Sequence, residues 1–289
     1  MMQYRIKIFK VINILIFMNS FRIILFSLFI NNIVSDDIIK TSLNLSQAAY
    51  CVNISNNWNC MTCDKDNMNN YVIEKKNTRV IVGYNKKFDS FYVSYRGTEN
   101  VQNWINNLKI VFYYPYHNLP DVGVEKGFYV DFLYSYRNII SVLDHLSKTY
   151  NTNKLLITGY SLGSALATLL VFEIQNNVNS KYSIFSLVTF GSPRVGNKEF
   201  SSIFRSYNFS SKRITHYYDV VPHTLQEIIG YSHIPQEIWY NEDNSKFKKC
   251  NDQYQEDENC SNSCAPIHCN SISDHKNYLN ISMGSVGDC

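Results

Sequence analysis

Gly159-Tyr160-Ser161-Leu162-Gly163 is the stretch of sequence that decides the fold. It follows the apolar run Leu155-Leu156-Ile157, and helix-forming residues continue from Ser164 to Val171. A short strand that enters Gly-x-Ser-x-Gly and leaves into a helix is the pattern of a nucleophile elbow. The two glycines keep Cβ atoms out of a tight turn. We therefore predict that Ser161 is a nucleophile at a helix N-terminus, where the helix dipole favours a developing oxyanion.

The first 35 residues differ in composition from the rest of the chain. They contain long apolar runs, no acidic residue and four basic residues, which are Arg5, Lys7, Lys10 and Arg22. This pattern predicts a secretory signal that is cleaved near Ser35, with translation starting at Met1 or at Met18. A membrane anchor is the alternative, but Arg22 in the middle of a span would be costly. We predict a signal segment at 1–35 and a single domain at 36–289.

Removal of this segment changes the charge of the chain. The 289 residues carry a formal net charge of +3, from 27 Lys and Arg against 24 Asp and Glu. Without the four basic residues of the signal, 23 basic residues face 24 acidic ones. The mature chain therefore offers no electrostatic case for binding nucleic acid. We expect a secreted monomer.

The cysteines predict disulfide bonds. All eight lie after the signal segment, at positions 51, 60, 63, 250, 260, 264, 269 and 289. An even number of cysteines in a secreted chain indicates a disulfide framework. Zinc is the alternative, but the downstream spacing is irregular and the compartment is oxidising, so we expect no metal. Five glycosylation sequons also fit a secreted surface, at Asn44, Asn53, Asn208, Asn259 and Asn280.

Strands that alternate with helices predict an α/β fold. Three strand patterns, at 71–73, 80–84 and 91–95, form a meander, and a long helical pattern covers 128–146 before the elbow strand. Further strand patterns follow at 185–190, 214–218 and 230–240. The alternation indicates a largely parallel central sheet with helices on both faces.

The elbow serine needs an acid and a base. Asp219 follows a predicted strand directly, so we expect it at the sheet edge that carries Ser161. His223, His233, His268 and His275 are candidates for the base. His223 is only four residues from Asp219, His233 lies in the predicted strand 230–240, and His268 lies in the cysteine-rich loop. Position alone therefore favours His275.

Taken together, the chain resembles the class 3 (fungal-type) lipases of the α/β-hydrolase fold. Seven segments carry this resemblance in the order of the family, at 95–98, 103–105, 126–128, 159–163, 189–197, 219–222 and 275–278. The resemblance implies that Ser161 is the nucleophile, Asp219 the acid and His275 the base. It also implies oxyanion donors at Thr98 and Leu162, and this chemistry requires no cofactor.

The resemblance further implies a lid and two disulfide pairs. Apolar residues at helical spacing form one face of a short helix and occupy the position of the family's lid; they are Val101, Trp104, Ile105 and Leu108. A permanently packed surface helix is the alternative. The implied pairs are Cys51–Cys289 and Cys60–Cys63, which leaves the pairing of the other four cysteines open.

One residue departs from the family's pattern. The family usually has histidine where this chain has Glu125, and we expect altered packing near the site rather than lost chemistry.

The predicted function is that of a secreted serine ester hydrolase, a triacylglycerol lipase that binds the lipid–water interface transiently. Phospholipase A1 or feruloyl-type esterase activity is the alternative within the same chemistry. A non-catalytic binding protein is a third hypothesis. Such a protein should lack a residue of the triad or of the oxyanion hole, and this sequence has a candidate for every one of them.

Overall fold

The computed structural model describes residues 34–55, 58–252, 256–265, 267–285, 287 and 289. The chain forms two compact units, 1–41 and 42–289. The predicted signal segment lies outside the described residues except for residues 34 and 35. The described part of the first unit is helical, and helix α1 covers residues 34–48. Among the described residues, no helix has both the length and the apolar content needed to cross a bilayer.

A central sheet of eight strands carries the second unit. Its order is β1-β2-β3-β6-β7-β9-β11-β12. These strands are β1 (Asn67–Lys75), β2 (Thr78–Asn85), β3 (Ser90–Tyr95), β6 (Lys154–Tyr160), β7 (Ser183–Phe190), β9 (Ser210–His216), β11 (Glu237–Tyr240) and β12 (Phe247–Lys249). The pairs from β3 to β11 are parallel, whereas β1, β2 and β12 pair antiparallel. The predicted meander and parallel sheet are both present.

Helices and two small sheets complete the unit. The helices are α2 (Val101–Asn107), α3 (Lys126–Leu146), α4 (Leu162–Asn176), α5 (Lys198–Ser206) and α6 (Ile272–His275). One small sheet has the order β10-β8-β5-β4, formed by β4 (Phe112–Tyr113), β5 (Val124–Glu125), β8 (Gly196–Asn197) and β10 (Tyr231–Ser232). The other pairs β13 (Asn277–Tyr278) with β14 (Ile281–Ser282). Helix α4 is buried along almost its whole length, because it packs between the sheet and α3.

The predicted strand at 230–240 was wrong as a single element. It consists of β10 in the small sheet and β11 in the central sheet, with Pro235 between them. Proline lacks the N–H that a continuous ladder requires, so the chain can leave one sheet there and enter another. The apolar pattern does not reveal this change, because both halves are buried.

Four disulfide bonds join the eight cysteines. They include Cys51–Cys289 and Cys60–Cys63, the two pairs that the resemblance implied. The cysteine-rich segment is closed locally by Cys250–Cys260 and Cys264–Cys269. All of these sulfurs are disulfide-bonded, so none is a thiolate.

Candidate active site

Ser161 lies in the turn between β6 and α4. Its φ of 56° and ψ of −129° are rare for a residue with a side chain, and such a conformation costs about 1–3 kcal/mol. The turn is very tight, since a Cβ on Gly159 would lie 2.3 Å from the Gly163 carbonyl oxygen. Ser161 Oγ is buried and has no hydrogen-bond partner among the described residues. The fold therefore holds a serine hydroxyl in a strained position at the N-terminus of α4.

Asp219 and His275 lie together although 56 residues separate them. His275 Nδ1 is 2.8 Å from Asp219 Oδ2, and both side chains are almost fully buried. The other carboxylate oxygen, Oδ1, accepts a hydrogen bond from Val221 N at 2.8 Å. His275 Nε2 is buried without a partner within the described part of the chain. This geometry can hold the imidazole in one orientation while Nε2 remains free to take a proton.

A β-bridge and a helix cap bring His275 next to Asp219. A parallel bridge joins Asp219 to Ser271. Ser271 also caps α6, because its hydroxyl accepts a hydrogen bond from Asp274 N at 3.0 Å. His275 ends this one-turn helix, so the bridge and the cap together fix where its ring lies.

The other three candidate histidines lie in different environments. His233 is buried, and its Nε2 lies 3.0 Å from the Pro222 carbonyl oxygen. His223 is half-buried, and burial lowers its pKa to about 4. His268 is exposed on the cysteine-rich segment. His275 is the one that contacts Asp219.

Sequence reasoning missed three residues that contact this pair. Tyr278 donates a hydrogen bond from its hydroxyl to Asp219 Oδ2 at 2.5 Å. The Tyr160 ring stacks on the His275 ring with 4.7 Å between centroids, and its hydroxyl donates to the His275 carbonyl oxygen at 2.9 Å. Gly191 has a φ of +56°, and a Cβ there would lie 2.8 Å from His275 Cε1. Each residue lies inside a segment of the resemblance, but the segments alone do not reveal these contacts.

Thr98 and Leu162 both adjoin the elbow. Leu162 follows Ser161 as the first residue of α4. The segment after β3 passes against the turn, since a Cβ on Gly97 would lie 2.5 Å from the Tyr160 carbonyl oxygen. Tyr50 supports this segment, because its hydroxyl donates to the Thr98 carbonyl oxygen at 3.4 Å.

Helix α2 packs against the first turn of α3. Val101 is buried, and the Trp104 ring stacks on Phe128 with 6.1 Å between centroids. Asn100 caps the helix, because Asn103 N donates to its side chain at 3.0 Å. The apolar face of α2 thus points inward.

Two grooves border α2. The Val220 groove has a volume of about 810 Å³, and its lining includes Ile105, Leu108 and Val220. The Leu162 groove has a volume of about 490 Å³, and its lining includes Trp104, Leu108, Glu125, Phe128 and Leu162. Leu108 lines both grooves, so the C-terminal end of α2 separates them.

Glu125, which departs from the family's pattern, caps α3. Its carboxylate accepts a hydrogen bond from Phe128 N at 2.7 Å. The side chain is almost fully buried, and burial raises its pKa. This cap starts the helix at Lys126, two residues before the predicted start at Phe128.

The sheet, the elbow and the buried acid–histidine pair define an α/β-hydrolase. The family model described as Lipase (class 3) matches residues 92–228. Lipases from Rhizopus niveus and Rhizomucor miehei are each 30% identical to the chain, over 255 and 253 residues and 83% of its length. The chain belongs to the class 3 lipase family.

Further comparisons extend this relationship. The structure of lipase II from Rhizopus niveus superposes with a TM-score of 0.78 at 27% identity, covering 87% of this chain and 97% of that one. A secreted mono- and diacylglycerol lipase from Fusarium solani is 30% identical over 188 residues, which is 63% of this chain and 54% of that relative. The chain spans 62% of the length of the Rhizopus niveus relative and 67% of the Rhizomucor miehei one.

Proposed function

We propose that the protein is a secreted triacylglycerol lipase in which Ser161, Asp219 and His275 form the catalytic triad. The buried hydrogen bond between Asp219 and His275, at 2.8 Å beside the strained turn of Ser161, is the observation that carries the proposal. Membership of the class 3 lipase family supports it.

The proposed reaction gives each of these groups one role. His275 Nε2 takes the proton of Ser161 Oγ as the oxygen attacks an ester carbonyl, and the same proton then goes to the leaving alcohol. Asp219 holds the imidazole and stabilises its positive charge. Water then hydrolyses the acyl-enzyme by the same sequence of proton transfers.

Two backbone N–H groups are suited to receive the oxyanion. Leu162 N lies at the start of α4, where the helix dipole favours negative charge. Thr98 N lies on the segment that passes against the elbow, and its hydroxyl can add a third donor. Loss of one such donor typically lowers kcat about 10²–10³-fold.

Helix α2 is the proposed lid. Its inward apolar face, formed by Val101, Trp104, Ile105 and Leu108, would cover the site in water and turn toward lipid at an interface. The exposed apolar side chains of Ile110 and Val111 directly after α2 fit transient binding to a lipid surface. Activity on one ester should rise when the substrate passes from monomers to an emulsion. An unchanged rate would count against a moving lid.

Secretion is proposed on two grounds. The N-terminal segment has the composition of a signal, and four disulfide bonds favour an oxidising compartment. We expect the secreted protein to act as a monomer and without a cofactor. Recovery of an intact 1–35 segment from purified extracellular protein would contradict signal cleavage.

One assay tests the activity. The mature protein and its Ser161→Ala variant should be compared on a triacylglycerol emulsion, phosphatidylcholine and methyl ferulate. We expect hydrolysis of the emulsion by the wild type and none above background by the variant. Preference for phosphatidylcholine or methyl ferulate would replace the lipase assignment by phospholipase A1 or feruloyl esterase. Equal activity of both proteins on every substrate, or no activity at all, would refute the serine hydrolase proposal.

A further inference from the structure

A short turn after Asp219, the acid turn (Val221–His223), fixes how the carboxylate of Asp219 is held. The acid turn is one turn of 3₁₀ helix, and its first N–H group, that of Val221, donates to Asp219 Oδ1 at 2.8 Å. A shift of the acid turn would move this donor away from the carboxylate. The orientation of Asp219 toward His275 therefore depends on the contacts that hold the acid turn.

Arg194 holds the acid turn from the neighbouring loop. It lies between β7 and β8, and its side chain is only 3% exposed. Its Nη1 donates to the carbonyl oxygens of Pro222 and Leu225, at 3.2 and 2.9 Å. His233 Nε2 lies 3.0 Å from the same Pro222 oxygen. A carbonyl oxygen can only accept, so this nitrogen carries a proton and donates it to the hydrogen bond.

The carboxylate of Glu256 orients the guanidinium group of Arg194. Its two oxygens accept hydrogen bonds from Arg194 Nε at 2.8 Å and from Nη2 at 2.6 Å. A bidentate pair of this kind fixes the plane of the guanidinium group, and Nη1 is left to contact the acid turn. Glu256 Oε1 also accepts a hydrogen bond from His233 N at 3.0 Å. Glu256 therefore contacts both residues that donate to the Pro222 carbonyl oxygen.

Glu256 belongs to the cysteine-rich segment, 62 residues after Arg194. The disulfide bond Cys250–Cys260 closes the loop that contains it. Asp257 braces the same loop, because its carboxylate accepts hydrogen bonds from two backbone N–H groups of the loop, each at 2.9 Å. The loop therefore presents Glu256 to Arg194 from a fixed position.

We propose that Arg194 is a positioning residue for the proposed catalytic acid, and that Glu256 of the cysteine-rich segment sets its orientation. This inference rests on the proposed ester hydrolase activity. Desolvation offsets much of the attraction within a buried ion pair, so such a pair is weak evidence for stability. The larger effect of this pair is on the acid turn, and through it on the carboxylate of Asp219. Glu256 then influences the rate without contact with the ester.

A second buried ion pair provides a close comparison. Arg213 Nη2 and Glu237 Oε2 lie 3.1 Å apart, and each side chain is 1% exposed. Glu237 Oε1 accepts a hydrogen bond from Thr215 Oγ1 at 2.6 Å, so this pair joins β9 to β11 inside the sheet. Glu256→Gln and Glu237→Gln thus remove the same charge from the same kind of pair, at two different places.

The two arginines also keep matching second partners. In Glu256→Gln, Arg194 retains Glu227 at 3.2 Å, and in Glu237→Gln, Arg213 retains Asp252 at 3.6 Å. Urea unfolding should therefore show losses of similar size in the two variants. A difference between their rates then reports the position of the pair in the fold and not the loss of a buried charge.

Kinetics on a soluble ester, below the unfolding transition of every variant, test the positioning role. We expect Glu256→Gln to lower kcat about tenfold or more with little change in KM, because Asp219 acts on the transition state and not on binding. Glu237→Gln should keep the kcat of the wild type. Arg194→Lys should lower kcat as Glu256→Gln does, since an ammonium group cannot reproduce the bidentate contact.

A spectroscopic signal of the triad gives an independent measurement. The proton resonance of the His275 Nδ1–H group reports its hydrogen bond to Asp219, and we expect it to shift in Glu256→Gln but not in Glu237→Gln. Equal losses of kcat in these two variants, a change in KM alone, or wild-type kcat in both Glu256→Gln and Arg194→Lys would overturn the proposal and leave the hydrolase assignment intact. Absence of hydrolysis above the Ser161→Ala background would refute the proposed function itself.

Discussion

Substitution of Tyr278 tests whether its hydroxyl group stabilises the carboxylate of Asp219. Its hydroxyl donates to Asp219 Oδ2 at 2.5 Å, the oxygen that also faces His275 Nδ1. Burial and the negative charge of Asp219 both raise the pKa of Tyr278 well above its ordinary value of 10. The phenol therefore stays protonated, and remains a donor, over the whole range in which an esterase is assayed.

Tyr278→Phe removes this donor and leaves the ring in place. A hydrogen bond to a charged group contributes about 1.5–3 kcal/mol. Asp219 keeps its contacts with His275 Nδ1 and Val221 N, so we expect a loss at the lower end, about 2 kcal/mol. The carboxylate also loses one of the contacts that fix its position, so kcat/KM should fall because Asp219 orients the imidazole of His275 in the proposed triad.

Tyr231→Phe is the matched control. Tyr231 is equally buried, but its hydroxyl has no hydrogen-bond partner among the described residues. Urea unfolding and kcat/KM on a soluble ester from pH 5 to 9 should be measured for both variants. If Tyr278→Phe matched Tyr231→Phe in stability and in kcat/KM, the reasoning about Asp219 would be refuted.

Three further predictions concern stability. Replacing Cys51 and Cys289 together by serine opens a bond across 238 residues, and the chain-entropy model predicts a loss of about 5 kcal/mol; a denaturation midpoint close to that of the wild type would contradict it. Burial raises the pKa of Glu125 in the folded chain above 4.5. The unfolded chain therefore loses this proton at a lower pH than the folded chain does. The free energy of unfolding falls as the pH rises from 4.5 through the pKa of the folded state. Glu125→Gln should therefore be more stable than wild type at pH 7 and lose this advantage by pH 4, as urea unfolding at both values would report. Burial lowers the pKa of His223 from 6.5 to about 4. Between these pH values the imidazole is protonated in the unfolded chain but neutral in the folded chain. The free energy of unfolding therefore falls as pH falls from 6.5 to 4. His223→Gln should flatten this part of the stability curve, and an unchanged slope would argue against a buried neutral histidine.

Local patterns predicted the elbow and the sheet around it. The spacing in Gly159 to Gly163 fixes a strand–turn–helix, because only glycine fits where Gly163 approaches Gly159. The alternation of short apolar runs with helical patterns was enough to predict the parallel strands of the central sheet. The predicted ends of the elements were less accurate. The cap at Glu125 starts α3 two residues before the predicted start, and Pro235 divides one predicted strand between two sheets.

Long-range contacts in the site could not be read from local patterns. Position favoured His275, but the sequence does not show that Ser271 bridges to Asp219 and sets the histidine loop. Nor does it show that Tyr278 shares the carboxylate oxygen with His275, because that contact depends on how β13 folds back. The pairs Cys250–Cys260 and Cys264–Cys269 were open for the same reason, since three pairings fit the spacing equally well.

The backbone of Ser161 has a consequence for how this chain changes over generations. A φ of 56° with a ψ of −129° suits glycine far better than serine, so Ser161→Gly should strengthen the fold while it removes the proposed nucleophile. A lineage selected only for a folded protein would drift toward glycine at this position. A serine is expected to persist at such a position only where its hydroxyl is needed, and the proposed role of Ser161 as nucleophile would supply that need.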